Sequence, residues 1–82
     1  MNDKKRFKNV ILFDIYKNIL TEKQQNIFQL YYDNDYSEKE IAKELNVSKQ
    51  YISKTLKIIE KKLEDYEKKL KLLKKAKGKK NV

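Results

Sequence analysis

Apolar residues recur at three- and four-residue steps along almost the whole chain, and this helical period constrains the fold more than any other feature of the sequence. No stretch alternates apolar and polar residues for long enough to form a β-strand. A chain of 82 residues is expected to hold one domain at most. We therefore predict an all-α fold, a small helix bundle whose domain covers residues 1–73.

The first two helices are predicted from an apolar stripe and a capping box. The stripe has helical spacing over residues 5–19, and its members are Phe7, Val10, Ile11, Ile15 and Ile19. Thr21 followed by Gln24 has the spacing of a capping box, in which each side chain bonds the backbone N–H of the other residue. Thr21 is therefore predicted to cap a second helix over Glu22–Tyr32.

A second capping box, Ser37 with Glu40, predicts a short third helix over Glu38–Leu45. Asn46 follows at a position where a left-handed backbone is expected, because Asn tolerates that conformation better than any residue except Gly. Ser48 can then cap a fourth helix that begins at the next residue. A helix, a tight turn and a second helix thus follow one another closely.

Residues 37–57 have the pattern of a helix-turn-helix motif. Two tightly crossing helices need a small residue in the first helix, a residue tolerant of positive φ in the turn, and branched apolar side chains on either side. These needs are met by Ile41, Ala42, Leu45, Asn46, Val47 and Ile52. Thr55 occupies a position where many such motifs carry an aliphatic residue, so we expect Leu56 beside it to take the packing role.

The second helix of the motif has a face suited to DNA. At about 100° per residue, five polar side chains fall within about 140° of one another and form what we name the basic arc: Lys49, Gln50, Ser53, Lys54 and Lys57. Ile52, Leu56 and Ile59 lie on the other side, and no acidic residue occurs between Lys49 and Ile59. A helix that enters the phosphate-lined major groove needs this arrangement. The alternative is the solvated face of a purely structural helix.

We predict DNA contacts of several kinds from this face. The lysines of the basic arc are candidates for phosphates or guanine edges, and Gln50 can pair with adenine through its amide. Tyr51 and Ser53 can reach backbone oxygens, while Ser37 and Ser48 complete the set at the starts of the two helices. Because this helix has no Arg, we expect base specificity to depend on Gln50 and on DNA shape.

The fourth helix, predicted to run from residue 49 to about residue 73, carries a heptad repeat. Its apolar members alternate by four and three residues and are Ile52, Leu56, Ile59, Leu63, Tyr66, Leu70 and Leu73. Such a seam packs either against a second copy of the chain or against the first helix of the same chain, and the sequence leaves both arrangements open. We predict a homodimer whose seam is formed by Leu56, Ile59, Leu63, Tyr66 and Leu70.

The formal net charge of +9 is concentrated at the C-terminal end of the chain. Residues 68–82 contain eight Lys and no acidic residue, whereas residues 1–67 hold 13 basic and 12 acidic groups. A run of this kind repels itself and cannot bury apolar surface, so we predict a disordered tail over residues 74–82. Polyanions are its expected partners, bound through counterion release rather than by reading of their sequence.

The composition also excludes several classes of function. The sequence has no His and no Cys, so the commonest general base and the thiolate metal ligands are both absent. We therefore expect no enzyme activity, no metal site and no cofactor. No apolar segment approaches the ~20 residues that a membrane span needs, and a cytoplasmic protein is expected.

Several runs of residues resemble one family. They are Leu20-Thr21-Glu22-Lys23-Gln24, Tyr31-Tyr32, Asp35-Tyr36-Ser37 with Glu40-Ile41-Ala42, Val47-Ser48-Lys49-Gln50, and Leu63-Glu64-Asp65-Tyr66-Glu67 with Lys69-Leu70. Over about residues 7–73 the chain is similar to the YlxM-like DNA-binding proteins, small bacterial proteins related to region four of the sigma factors. It departs from their pattern at Lys49, where Arg is usual, at Asn46, where a turn Gly is usual, and in its Lys tail.

The resemblance implies an all-helical, sigma-region-four-like helix-turn-helix fold that tends to dimerise. Genes of the family usually neighbour those of the signal recognition particle, so the resemblance also implies a regulator linked to that pathway, with DNA as its partner. An alternative function is an RNA- or protein-binding accessory of the signal recognition particle that acts through the basic tail and the heptad seam.

Overall fold

The computed structural model describes residues 3–71, and over that range the chain is all-α. The helices are α1 Asp3–Tyr16, α2 Glu22–Tyr32, α3 Glu38–Leu45 and α4 Lys49–Leu70, with one turn of 3₁₀ helix over Lys17–Ile19 between α1 and α2. The predicted fold class, a small helix-turn-helix bundle with a long C-terminal helix, is confirmed. The tail predicted over residues 74–82 lies outside the described residues.

Both predicted capping boxes form and set the starts of α2 and α3. The Thr21 hydroxyl accepts from the Gln24 backbone N–H at 3.0 Å, and the Gln24 side chain accepts from the Thr21 N–H at 3.1 Å. Ser37 and Glu40 exchange the equivalent bonds at 3.1 and 2.8 Å. These bonds satisfy backbone donors that have no partner within the helix, which is why the two boundaries follow from the sequence.

The turn between α3 and α4 also has the predicted geometry. Asn46 is left-handed, with φ 59° and ψ 47°, and its N–H donates to the carbonyl of Lys43 at 3.3 Å. The N–H of Val47 donates to the carbonyl of Ala42 at 2.9 Å. The Ser48 hydroxyl then accepts from the backbone N–H of the third residue of α4 at 3.0 Å. The chain therefore reverses direction within three residues, as a helix-turn-helix requires.

The first helix ends earlier than its apolar spacing predicts. The sequence favours an unbroken helix over residues 5–19, but α1 ends at Tyr16 and the backbone tightens into the 3₁₀ turn, which the Leu20 N–H closes on the Lys17 carbonyl at 3.0 Å. The Gln25 amide donates to the carbonyls of Lys17 and Leu20 at 2.9 and 3.1 Å. A side chain of α2 thus satisfies acceptors that a longer helix would have used.

The fourth helix also ends before its predicted limit near residue 73. Lys71 adopts a left-handed conformation with φ 52°, and its N–H donates to the Glu67 carbonyl at 2.7 Å. This geometry closes α4 at Leu70, because a left-handed residue cannot continue a right-handed helix. Leu73, the last predicted member of the heptad repeat, lies outside the described residues.

Two hydrophobic clusters form the core, and α4 contributes to both. The motif cluster joins α2, α3 and the start of α4 through Ile27, Ile41, Ala42, Ile52 and Leu56. The α1 cluster joins α1, α2 and the second half of α4 through Leu12, Phe13, Tyr16, Leu20, Phe28, Ile59 and Leu63. Because one continuous helix contributes to both clusters, the orientation of α4 is set along most of its length.

The face that α1 buries differs from the predicted stripe. Phe7 is 67% exposed, while Leu12, Phe13 and Tyr16, which are not members of the stripe, are almost completely buried. Of the predicted stripe, Ile15 and Ile19 pack only at the edge of the α1 cluster. Apolar side chains occur nearly all round α1, so periodicity alone could not select the buried face. The aromatic ring of Phe28 selects it by stacking on Phe13 at 4.2 Å between centroids.

Tyrosine hydroxyls join α4 to the other helices inside the bundle. The Tyr32 hydroxyl donates to a carboxylate oxygen of Glu60 at 2.9 Å and accepts from the Asn9 amide at 3.1 Å. The Tyr16 hydroxyl donates to Glu67 at 2.8 Å. Burial, the larger cause, and the neighbouring Glu60 carboxylate together raise the pKa of Tyr32 to about 12.

The raised pKa of Tyr32 predicts a loss of stability at high pH. A tyrosine with a pKa near 10 when unfolded and about 12 when folded stabilises the fold below pH 10, and this contribution is lost as the pH rises to 12. For a half-buried group we expect about 1–2 kcal/mol. In urea unfolding at a series of pH values, the stability advantage of the natural chain over Tyr32→Phe should shrink by this amount. A difference between the natural chain and Tyr32→Phe that stays constant over this pH range would contradict the prediction.

Candidate nucleic-acid interface

The helix-turn-helix motif presents one side of α4 to solvent because the other side is buried. Ile52 is completely buried and Leu56 nearly so, both against α2 and α3 in the motif cluster. Thr55 is also buried, next to Leu56, which takes the packing role predicted for it. The first turns of α4 are thereby held with a fixed outward face.

The structure brings all five residues of the basic arc to this outward face. Lys49, Gln50, Lys54 and Lys57 are exposed and Ser53 is partly exposed. The first turn of α4 contains no acidic residue. Glu60, the first acid along the helix, points into the bundle, where its carboxylate accepts from Tyr32. Along its own helix, the surface from Lys49 to Lys57 therefore carries positive charge and no acidic side chain.

Ser37 and Ser48 lie at the helix starts as predicted, and each already has a structural task. Their hydroxyl oxygens accept backbone N–H bonds at 3.1 and 3.0 Å. A serine hydroxyl that accepts one bond still has its own hydrogen to donate. Both residues are exposed, so each could donate to a phosphate oxygen while it caps its helix. The N-terminal end of α4 adds the positive end of a helix dipole at the same place.

Glu38 of α3 lies beside the basic arc, which the sequence did not indicate. Its carboxylate oxygen lies 3.8 Å from the Lys49 ammonium nitrogen, with the Glu38 side chain 29% exposed and that of Lys49 62% exposed. The two residues are separated by eleven positions and meet only because the turn folds α3 against α4. The arc is free of acid along its own helix, but not in space.

Lys23 of α2 is a second residue at this surface that the sequence did not indicate. Its ammonium nitrogen lies 5.0 Å from the centroid of the Tyr51 ring, a distance that fits a cation–π contact. Tyr51 is 39% exposed, so α2 contributes a cation at the margin of the outward face of α4. No pattern in the sequence pairs these residues, because the contact depends on how α2 packs against α4.

The residues predicted as a dimer seam occupy two different environments. Leu56 lies in the motif cluster, and Ile59 and Leu63 lie in the α1 cluster, so these three offer almost no surface to a second copy. Ile59 and Leu63 pack against the first helix, as in the alternative arrangement left open by the sequence. Tyr66 and Leu70 are 37% and 46% exposed. A homodimer stays a prediction, and only these last two residues of the seam have appreciable exposed surface for it.

The described residues 3–71 also bear on two other kinds of feature, a metal site and a membrane span. Within this range, no group of three or more acidic side chains is placed to hold a metal ion. The helices of this same part of the chain are each too short or too polar to span a membrane. The basic, outward face of α4 with its neighbours Lys23 and Glu38 is therefore the surface whose chemistry points most directly to a ligand.

Comparisons with known proteins identify the same motif. Residues 3–82 match the model of the UPF0122 family, described as "Putative helix-turn-helix protein, YlxM / p13 like". A UPF0122 protein of Lactococcus lactis subsp. cremoris is 51% identical over 61 residues, which cover 74% of this chain and 55% of the relative. A UPF0122 protein of Streptococcus mutans is 52% identical over 59 residues, covering 72% and 54% respectively. The aligned part of this chain thus spans about half the length of these curated relatives.

Proposed function

Because the chain belongs to the UPF0122 family of YlxM-like helix-turn-helix proteins, we propose that it binds double-stranded DNA by placing the start of α4 in the major groove. The observation that carries this proposal is the outward face of α4, which holds three exposed lysines and Gln50 and no acid of its own helix. The opposite side of the same turns is buried in the motif cluster, so this face has a fixed direction.

The dimensions of this face suit a groove. An α-helix with its side chains is about 10–12 Å across, which matches the ~12 Å width of the major groove of B-DNA, and the face from Lys49 to Lys57 extends about 12 Å along its axis. In this arrangement Lys54 and Lys57 bind phosphates or guanine edges, Gln50 pairs with adenine, and the capping serines donate to backbone oxygens. Few base contacts are available, so DNA shape supplies part of the specificity.

A selection experiment tests this function directly. The full chain is incubated with a pool of randomised duplexes, the bound fraction is amplified over several rounds, and the enriched duplex is compared with its scrambled version in mobility-shift titrations. We expect an enriched sequence that is bound more tightly than the scrambled duplex at the same salt concentration. Equal affinity for all duplexes, with no enrichment, would contradict the proposal that α4 recognises bases in the major groove.

We also propose three properties that the geometry of α4 does not address. They are a regulatory role, a link to the signal recognition particle pathway and a cytoplasmic location. They follow from the resemblance to YlxM-like proteins and from the composition of the chain. The geometry of α4 supports the binding of DNA but does not indicate which genes are bound. Mapping of bound genomic sites in a bacterium that carries this protein is the measurement that connects the binding to a pathway.

The second candidate function is an RNA- or protein-binding accessory of the signal recognition particle. It is favoured by one observation, the eight Lys and no acid of residues 68–82. Deletion of residues 74–82 removes five of these lysines. If the tail binds RNA, each lost phosphate contact should flatten the log-log dependence of affinity on salt by roughly 0.7–0.9. The measurement is a filter-binding titration of a structured RNA at several salt concentrations, and an unchanged affinity after deletion would exclude RNA binding through the tail.

A further inference from the structure

The contact between Glu38 and Lys49 places a carboxylate at the edge of the surface that the proposed function assigns to DNA. Glu38 belongs to the first turn of α3, and its Oε1 atom lies 3.8 Å from Nζ of Lys49, in the first turn of α4. The Glu38 side chain is the more buried of the two, 29% exposed against 62% for Lys49. The carboxylate is thus held close to the protein while the ammonium group projects toward solvent.

This geometry has an electrostatic consequence for any polyanion that approaches α4. A phosphate that binds Lys49 must compete with the carboxylate already beside it, and it is also repelled by that carboxylate. Another ion pair on α4, between Lys61 and Asp65 at 3.7 Å, lies at least twelve residues beyond Lys49 on the same helix. Within the described residues, the ion pairs formed by α4 include neither Lys54 nor Lys57. Of the three lysines of the basic arc, Lys49 is therefore the one that forms an ion pair with Glu38 in the described part of the chain.

We propose that Glu38 is an affinity-limiting residue of the DNA site: its carboxylate competes with a DNA phosphate for Lys49 and so weakens binding of all duplexes. This inference rests on the proposed function, because it concerns the same surface. The proposal identifies a backbone phosphate as the DNA group that binds Lys49. The Glu38 carboxylate already lies where such an anion would bind the Lys49 ammonium group. The contact contributes affinity rather than sequence preference.

Substitution of Glu38 by Gln tests the proposal because a merely structural role predicts the opposite direction. A carboxylate in the first turn of a helix stabilises that helix, so loss of a structural contact would weaken the motif and lower the affinity. Loss of a carboxylate that competes for Lys49 would instead raise the affinity for DNA. We expect Glu38→Gln to bind both the preferred and a scrambled duplex about 3- to 10-fold more tightly at low salt, with a gain that falls as salt is added, since the pair is partly exposed.

The matched control is Glu44→Gln, which removes the same charge from the exposed side of α3 near its other end. It should change the affinity by less than twofold. A double-mutant cycle with Lys49→Ala isolates the pair, because the gain from Glu38→Gln should disappear when Lys49 is absent. Mobility-shift titration gives the affinities, and circular dichroism of each variant confirms that the helices are retained.

Three results would overturn the proposal. One is an affinity of Glu38→Gln equal to that of Glu44→Gln, which would assign the effect to net charge. Another is a reduced affinity, which would assign Glu38 a structural role. The third is a gain that persists in the Lys49→Ala background. All three require that the natural chain binds duplex DNA, so an absence of binding by the natural chain would instead refute the proposed function.

Discussion

Replacement of Phe28 by Ala is expected to lower the free energy of unfolding by about 3–5 kcal/mol, because the deletion of a buried aromatic ring removes its contacts and leaves a cavity. Phe28 is 1% exposed. Its ring stacks on Phe13 and on Tyr32, with 4.2 Å between centroids in each case. The stack on Phe13 joins α1 to α2, and the α1 cluster around it includes Ile59 and Leu63 of α4.

The expected loss is a large part of the stability of so small a domain. A chain of this length has a total stability of roughly 4–12 kcal/mol. Urea unfolding followed by circular dichroism measures the change, and the transition of Phe28→Ala should begin at a much lower urea concentration than that of the natural chain. The matched control is Phe7→Ala, whose side chain is 67% exposed and which should change stability by less than about 0.5 kcal/mol. Equal effects of the two substitutions would show that Phe28 is not a central core residue.

Simultaneous replacement of Lys49, Gln50 and Lys54 by Ala is expected to lower affinity for the preferred duplex by about 10²- to 10⁶-fold. Contacts of these types contribute about 1–3 kcal/mol each, and 1.4 kcal/mol corresponds to a tenfold change. Two cations are removed, so the slope of log affinity against log salt should flatten by about 1.8. The preference for the selected duplex over a scrambled one should also fall, since Gln50 is the main candidate for reading a base.

A control of equal composition separates this effect from the loss of net charge. Lys8, Lys17 and Gln29 are exposed residues of α1, the 3₁₀ turn and α2, so their replacement by Ala removes the same three side-chain types away from the outward face of α4. We expect this control to stay within about threefold of the natural chain in mobility-shift titrations. If both triple variants lose affinity equally, the binding depends on overall charge and the proposed role of α4 is wrong.

Local features of the motif were predictable because the interactions that set them span few residues. A capping box joins positions three residues apart, so Thr21 with Gln24 and Ser37 with Glu40 fixed the starts of α2 and α3 in the sequence itself. The left-handed turn at Asn46 follows from the conformational tolerance of one residue type. The outward face of α4 follows from its apolar residues, since one period of 3.6 residues assigns both faces of a helix.

Contacts between helices were not predictable in the same way. The early end of α1 depends on the Gln25 amide, which reaches it from α2. The environment of the heptad seam depends on whether α1 or a second copy covers it, and the same apolar pattern serves both. In the structure α1 covers Ile59 and Leu63, while Tyr66 and Leu70 remain partly exposed beyond that contact.

The sequence by itself determined the helical class, the boundaries set by capping boxes, and the lysines and glutamine that face outward from α4. Only the tertiary structure decided which side of α1 is buried, and that Glu38 and Lys23 approach the same end of α4 from two other helices. The physical reason is the separation along the chain of the residues that interact. Hydrogen bonds and periodicity within one helix are encoded over a few residues, whereas the charge around a binding surface is the sum over all elements that packing brings together.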